Sequence, residues 1–400
     1  MKKNSWNATA IILIALVFAS CQKEESLPGQ LTDLSSIENS RFRKSCTPGT
    51  FTVFATGLIN PRGLKFGPDG KLYVAEGGSG GSNSTAGTCV QVSAEEVGPY
   101  TGSNTGGRIS VINAWGNRTT LVNDLPSSQT SVVSGSLVSG VADVAFIGNN
   151  LYALLGGAGC SHGVTNLPNG IVKVRNNGSW KLIADLSAYQ HANPTAVTED
   201  EDFEPDGSWY GMINVEGTLY AVEPNHGELV KVNPGGKVKR VIDISASQGH
   251  VVPTVVAFRK GHFFVSNLNT FPIAEGSSSI YKISQEGKIK VWATGFTTVL
   301  GLVFDEQGNL YVLENTTGVG NLFPTPGTGR IVRIDEDGKR KVIVKGLALP
   351  TGMTLGRDGY LYVSNLGFGP PPQAQAGQIL KVCIGGCERH DYDDRDERKN

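Results

Sequence analysis

Neither sign of charge is in surplus in this chain: 35 Lys and Arg stand against 36 Asp and Glu, a formal net charge of −1. Without a positive excess there is no electrostatic surface for a phosphate backbone, which excludes nucleic acid as an expected partner. No long stretch carries a 3.6-residue apolar period, so a helical fold is excluded and an all-β chain remains. No Cys-x-x-Cys spacing occurs among the six cysteines, and Cys383-x3-Cys387 by itself is a poor metal signal. No Ser-His-Asp or Cys-His relation can be read from the spacing, so no nucleophilic triad is predicted. The single long apolar run, Ala8 to Phe18, is too short to span a bilayer.

What the chain does contain is glycine, 52 residues, and a strand core that recurs six times. The cores are Leu72-Tyr73-Val74-Ala75, Leu151-Tyr152-Ala153-Leu154, Leu219-Tyr220-Ala221-Val222, Phe263-Phe264-Val265-Ser266, Leu310-Tyr311-Val312-Leu313 and Leu361-Tyr362-Val363-Ser364. Before most of them runs a strand with a Gly or small residue, such as Gly63-Leu64-Lys65-Phe66 or Gly301-Leu302-Val303-Phe304, and then a tight turn such as Asp69-Gly70 or Asp358-Gly359. After them come a long Gly-rich loop, an alternating third strand such as Arg330-Ile331-Val332-Arg333-Ile334, and an outer strand. Four short antiparallel strands, repeated six times, predict a six-bladed β-propeller; a β-sandwich would not repeat its motif in this way.

The sixth repeat lacks its outer strand. Phe51 to Leu58 matches the outer strand Val291 to Phe296, so the N-terminal strand is expected to complete the last blade and close the ring. That places Cys46 near Cys383 and Cys387 and predicts a disulfide to one of them. Cys89 and Cys160, in the long loops of adjacent blades, form the second expected pair, which leaves one thiol over.

The N-terminus reads as a targeting segment. Lys2 and Lys3 precede the apolar run, which ends in Phe18-Ala19-Ser20-Cys21. This resembles a bacterial lipoprotein signal, with Cys21 acylated; the alternative is an ordinary secretory peptide cleaved nearby. Gln22-Lys23-Glu24-Glu25 resembles the export signal of Bacteroidetes lipoproteins, which implies the outer face of the outer membrane. The expected organisation is a signal peptide over 1–20, a flexible tether over 21–45, the propeller over 46–387 and a charged disordered tail over 388–400, in a monomer held to the membrane by lipid.

Five of the six cores are followed by a carboxylate or carboxamide, Glu76, Glu223, Asn267, Glu314 and Asn365; the sixth is followed by Leu155. In a propeller these strand ends share one face with the long loops, so their oxygens are candidate ligands for a hard cation such as Ca²⁺ at the channel mouth. The alternative is that they cap strand ends by bonding loop amides. The inward residues Arg62, Asp143, Thr254 and Thr351 are expected nearby. His162, His191, His226 and His250 fall in loops on the same face, whereas His262 lies opposite and His390 in the tail. The run Glu199-Asp200-Glu201-Asp202-Phe203-Glu204-Pro205-Asp206-Gly207 reads as a solvated acidic loop, since Pro205 stands where a calcium loop needs Gly.

Glu96-Val97-Gly98-Pro99-Tyr100-Thr101-Gly102 with Gly107-Arg108-Ile109, Val252-Pro253-Thr254-Val255-Val256, Thr294 to Val299 and Tyr311 to Glu314 resemble motifs of the ScyD/ScyE family. The resemblance spans about residues 50 to 385 and implies a secreted or envelope six-bladed propeller with no established catalytic residues. A looser similarity runs to NHL and gluconolactonase-like propellers, which implies a divalent metal held by Glu, Asn and Asp. The expected function is therefore a lipid-anchored binding or scaffold protein presenting its loop-rich face to a protein or glycan. The alternative is a metal-dependent hydrolase or lactonase, with Glu76, Glu314 or a histidine as base.

Overall fold

The computed structural model describes residues 46–92, 94, 97–197, 203–318, 324–367 and 376–385. Cys21, Cys387, His390, the tether and the tail lie outside them. The described chain forms six antiparallel sheets. Blades 2 to 5 each run from an inner to an outer strand in chain order; blade 2, for example, uses Val141–Ile147, Asn150–Leu155, Gly170–Val174 and Trp180–Asp185. Blade 6 takes three strands from the C-terminal end, Gly352–Leu355, Tyr360–Asn365 and Gly377–Cys383, and its outer strand is the N-terminal Phe51–Leu58. The ring closes as the repeat count requires.

The strand period explains how the blades stack. Along Leu151–Leu155, Leu151, Ala153 and Leu155 pack toward blade 1, while Tyr152 and Leu154 pack toward blade 3. Each blade is thus apolar on both faces. The buried hydrophobic residues accordingly fall into six clusters, one per junction between neighbouring blades. The sixth joins Leu58 and Ile379 of blade 6 to Leu64 and Val74 of blade 1.

Cys46 is bonded to Cys383, 337 residues away, and locks the closing strand. Cys89 is bonded to Cys160. Both observed bonds fall within the expected pairings.

Blade 1 departs from the pattern. Its third and fourth strands, Thr101–Ile112 and Arg118–Gln129, are each 12 residues long. Their extensions pair with two short strands, Asn83–Ser84 and Val138–Ser139, and rise over the loop face as a cap. Gly102 lies so close to the His162 carbonyl that a Cβ there would sit 2.1 Å from its oxygen, so a side chain at this position would hold the cap off blade 2.

Candidate functional site

The six strand ends act one blade at a time. Glu76 accepts hydrogen bonds from Ile59 N and Arg108 Nε, both at 2.6 Å, and from Ser110 Oγ. Glu314 accepts from Thr297 N (2.7 Å) and from Arg330. Glu223 accepts from Ser208 N (2.7 Å), Asn225 N and His226 N. Asn365 accepts from Ala348 N (3.0 Å), and Asn267 bonds Val251 O and Ser279 N.

In four of these blades the residue after the clamped one has a left-handed backbone without being glycine: Asn60, Val252, Thr298 and Leu349, with φ between 46° and 53°. Such corners cost about 1–3 kcal/mol each. The polar strand end holds the corner by which the chain enters that same blade. Burial pushes the Glu76 carboxyl above the usual range, and the Arg108 guanidinium beside it opposes that shift. Glu76, Glu223 and Glu314 form no shared group, and among the described residues no three His, Cys, Asp or Glu side chains are placed to hold a metal. Leu155 is no anomaly in this light: it packs into the cluster between blades 1 and 2. The corner into blade 2 is held instead by Ser139, paired with Ser128, and by Arg62, which donates to the Val138 carbonyl.

The inward residues do gather at the axis, and they bond across blade junctions. Thr254 Oγ1 donates to Val299 O (2.7 Å), linking blades 4 and 5, and Thr351 Oγ1 donates to Pro61 O (2.6 Å), linking blades 6 and 1. Asp143 of blade 2 accepts from Met212 N of blade 3 (2.9 Å). One residue outside the expected set crosses the axis. Tyr210, just before the inner strand of blade 3, donates its hydroxyl to the carbonyl of Thr351 in the opposite blade 6, at 2.9 Å. Below it lies a cavity of about 30 Å³ lined by residues of all six inner strands. Burial pushes the Tyr210 phenol up to about 12.

Three of the four loop-face histidines converge on one segment, Phe203–Gly207. His226 Nε2 meets the Glu204 carbonyl (2.8 Å), His191 Nε2 the Pro205 carbonyl (2.7 Å) and His162 Nε2 the Gly207 carbonyl (3.2 Å). Phe203 stacks on His226, and Asp206 Oδ2 accepts from both Ser161 N and Ser161 Oγ at 2.8 Å. Glu204 accepts from Tyr100 OH of the cap. The second half of the acidic run is thus a buried latch between cap and ring, a correction to the solvated loop expected; residues 198–202 lie outside the described set. Its partners sit far away in sequence, which is why the run itself gave no hint.

Ser128 Oγ lies 3.0 Å from His162 Nδ1, and Glu204 Oε2 lies 3.8 Å from His162 Nε2. The order resembles a serine hydrolase relay, and Ser128 is buried, 1 % exposed. Burial lowers the His162 pKa to about 4, against the pull of the Asp206 carboxylate. His250 lies in the chain between the short helix Ser245–Gln248 and the inner strand of blade 4.

Between the cap and the corners of blades 3 and 4 opens a cleft of about 200 Å³. Leu137 and Tyr100 line it from the cap, Trp209 and Tyr210 from the latch side, Phe271 from the blade 4 loop, and Arg62 from the inner strand of blade 1. Tyr210 and Leu300 line both this cleft and the small cavity at the axis. The aromatic pair Trp209-Tyr210, directly after the acidic run, was the sequence signal available for this site. A larger concavity, about 690 Å³, lies on the opposite face between the hairpin turns of blades 1 and 2. Its Asp69 and Lys71 pair with each other at 3.2 Å, and both are exposed.

No protein-family model matches the chain, and no curated protein matches it. Solved structures do. A protein of unknown function from Bacteroides thetaiotaomicron is 12% identical over 84% of this chain and 72% of that chain, with a TM-score of 0.51. A candidate gluconolactonase is 14% identical over 85% and 94%, with a TM-score of 0.48. An auxiliary nutrient binding protein from Bacteroides thetaiotaomicron is 8% identical over 81% and 69%, with a TM-score of 0.48. At these identities the likeness establishes the propeller fold alone.

Proposed function

We propose that this protein is an envelope binding protein, lipid-anchored through Cys21 and related to the ScyD/ScyE propellers, which takes its ligand in the cleft between the blade 1 cap and blades 3 and 4. The observation that carries this reading is the cleft itself: a mostly apolar recess with Tyr210 at its axial end, while the strand-end oxygens are engaged in corners elsewhere. A volume of about 200 Å³ suits one ring-sized group, free or at the end of a protein side chain or glycan.

Ligand-observed NMR with a library of ring-sized fragments tests the reading. Hits on the wild type should vanish in Leu137→Trp, whose side chain fills the cleft. Identical hit lists for the two folded proteins would refute it.

A further inference from the structure

We propose that the outer rim of blades 2 to 5 is a docking surface for a linear acidic polysaccharide, a use separate from the cleft. The strand register sets the same row of three side chains in each of these blades, running outward from the second strand to the fourth. In blade 2 the row is Tyr152, Lys173 and Lys181, and in blade 3 Tyr220, Lys231 and Lys239. In blade 4 it is Phe264, Lys282 and Lys290, and in blade 5 Tyr311, Arg333 and Lys341. The aromatic residue anchors the row: Lys173 lies over the Tyr152 ring and Lys282 over the Phe264 ring, 5.9 and 5.7 Å from the centroids. In every row the third-strand cation is half-buried and the outer one exposed.

Like charges directly opposite each other destabilise a sheet. The edge strand explains one cation of each pair, because a lysine there blocks edge-to-edge pairing. It does not explain a second cation on the strand inside it. Blades 1 and 6 show that the row does not require the pair: theirs are Tyr73, Val111 and Thr119, and Tyr362, Lys381 and Thr52. Nor do the protein's own carboxylates neutralise it. The ion pairs among the described residues, such as Arg240 with Glu228, Lys260 with Glu336 and Arg330 with Glu314, include none of the eight row cations.

A carboxylate set between the two cations of a row turns repulsion into attraction. One such contact at an exposed position is weak, so a small anion gains little. A chain with a carboxylate on each repeating unit engages several rows at once and gains by linkage. Shape then selects among polyanions. The rows lie on the flank of each blade that faces the next, since Tyr152, Phe264 and Tyr311 pack in the junctions toward blades 3, 5 and 6. Rows on four adjacent blades follow a convex rim, which a flexible chain can track, whereas duplex DNA resists bending at that scale. A flat anionic membrane approaching the turn face would first meet Glu286 and Asp335-Glu336-Asp337 in the outer hairpins of blades 4 and 5.

The test is binding of the full-length chain to polygalacturonate and to its methyl ester, which keeps the polymer backbone and removes the charge. Wild type should bind polygalacturonate and not the ester, and should lose at least about tenfold in affinity between about 50 and about 200 mM salt. Lys181→Gln, Lys239→Gln, Lys290→Gln and Lys341→Gln combined should weaken binding at least about tenfold. The same variant should melt at or above the wild-type temperature, because the like-charge pairs are gone. Should it fail to fold, two half-variants replace it, Lys181→Gln with Lys239→Gln and Lys290→Gln with Lys341→Gln. An equal charge change off the rows, Lys71→Gln, Lys260→Gln, Lys345→Gln and Arg357→Gln, should leave affinity within about twofold. No binding to polygalacturonate at the lower salt, or the same loss in row and off-row variants, overturns the proposal. Tighter binding to duplex DNA or to phosphatidylglycerol vesicles than to polygalacturonate overturns the polysaccharide assignment.

Discussion

Blades 1 and 5 carry the same clamp under different roofs. In both, a buried glutamate at the end of the second strand faces an arginine directly across the sheet, Glu76 with Arg108 and Glu314 with Arg330. In both, the glutamate also holds the corner amide of the chain entering the blade, Ile59 N or Thr297 N. Above blade 5 the third strand stops at six residues, Gly329–Ile334. Above blade 1 it runs on to twelve and becomes the cap. Positions that repeat therefore hold the ring together, and positions that break the repeat build the cleft.

That contrast can be broken at its strongest point first. Cys46→Ser removes the bond that closes the ring and should cost about 2–5 kcal/mol, read as a lowered urea midpoint. Because the lesion lies at the turn end of blade 6, fragment binding at the cleft should survive in the folded protein. Loss of binding at unchanged stability would show that closure and site are not separable.

The next test concerns the clamps. Glu314→Ala leaves Arg330 and the Thr297 amide without their acceptor and should cost about 3 kcal/mol, with Glu76→Ala similar. If these residues are scaffold in both blades, neither variant changes the response of the melting temperature to Ca²⁺ against EDTA. A calcium stabilisation present in wild type and absent from both variants would return the strand ends to metal chemistry.

The smallest expected effect distinguishes the latch from the ring. The His162 pKa, about 4 in the fold, lies below the ordinary 6.5. The unfolded chain thus takes up a proton at a higher pH than the folded one. The latch contribution is complete above about pH 6.5 and is lost progressively toward pH 4. Glu76, Asp143 and Glu228, whose carboxyls burial holds above the usual range, bend the curve the other way. The difference between wild type and His162→Asn is therefore the quantity to read. It should shrink as pH falls from 7.5 to 5; a difference constant with pH would mean that His162 takes up its proton at the same pH in the folded and unfolded chains.

The ring was legible because its signal is local and repeated. Leu-Tyr-Val cores, Asp-Gly turns and the unmatched outer strand Phe51–Leu58 each sit within a few residues of their meaning. The clamps were half legible: Glu76 and Glu314 stood out, but Arg108 and Arg330 at the head of the third strands did not, because the pairing depends on register. The cap was hidden because Thr101-Gly102-Ser103-Asn104-Thr105-Gly106-Gly107 has no apolar alternation to mark a strand. The latch was hidden for a different reason. Glu204 and Asp206 are buried by His162 and Ser161, more than 40 residues away, and no local pattern announces a partner at that distance.

The phenol of Tyr210 reaching from blade 3 to blade 6 has a consequence for traffic. A propeller with an open axis has two doors, and solutes, protons or a bound group can pass from one side of the disc to the other. Here the Tyr210 phenol crosses the shaft between the cleft and the small axial cavity and bonds the far side, so any passage between the two faces narrows at that one contact.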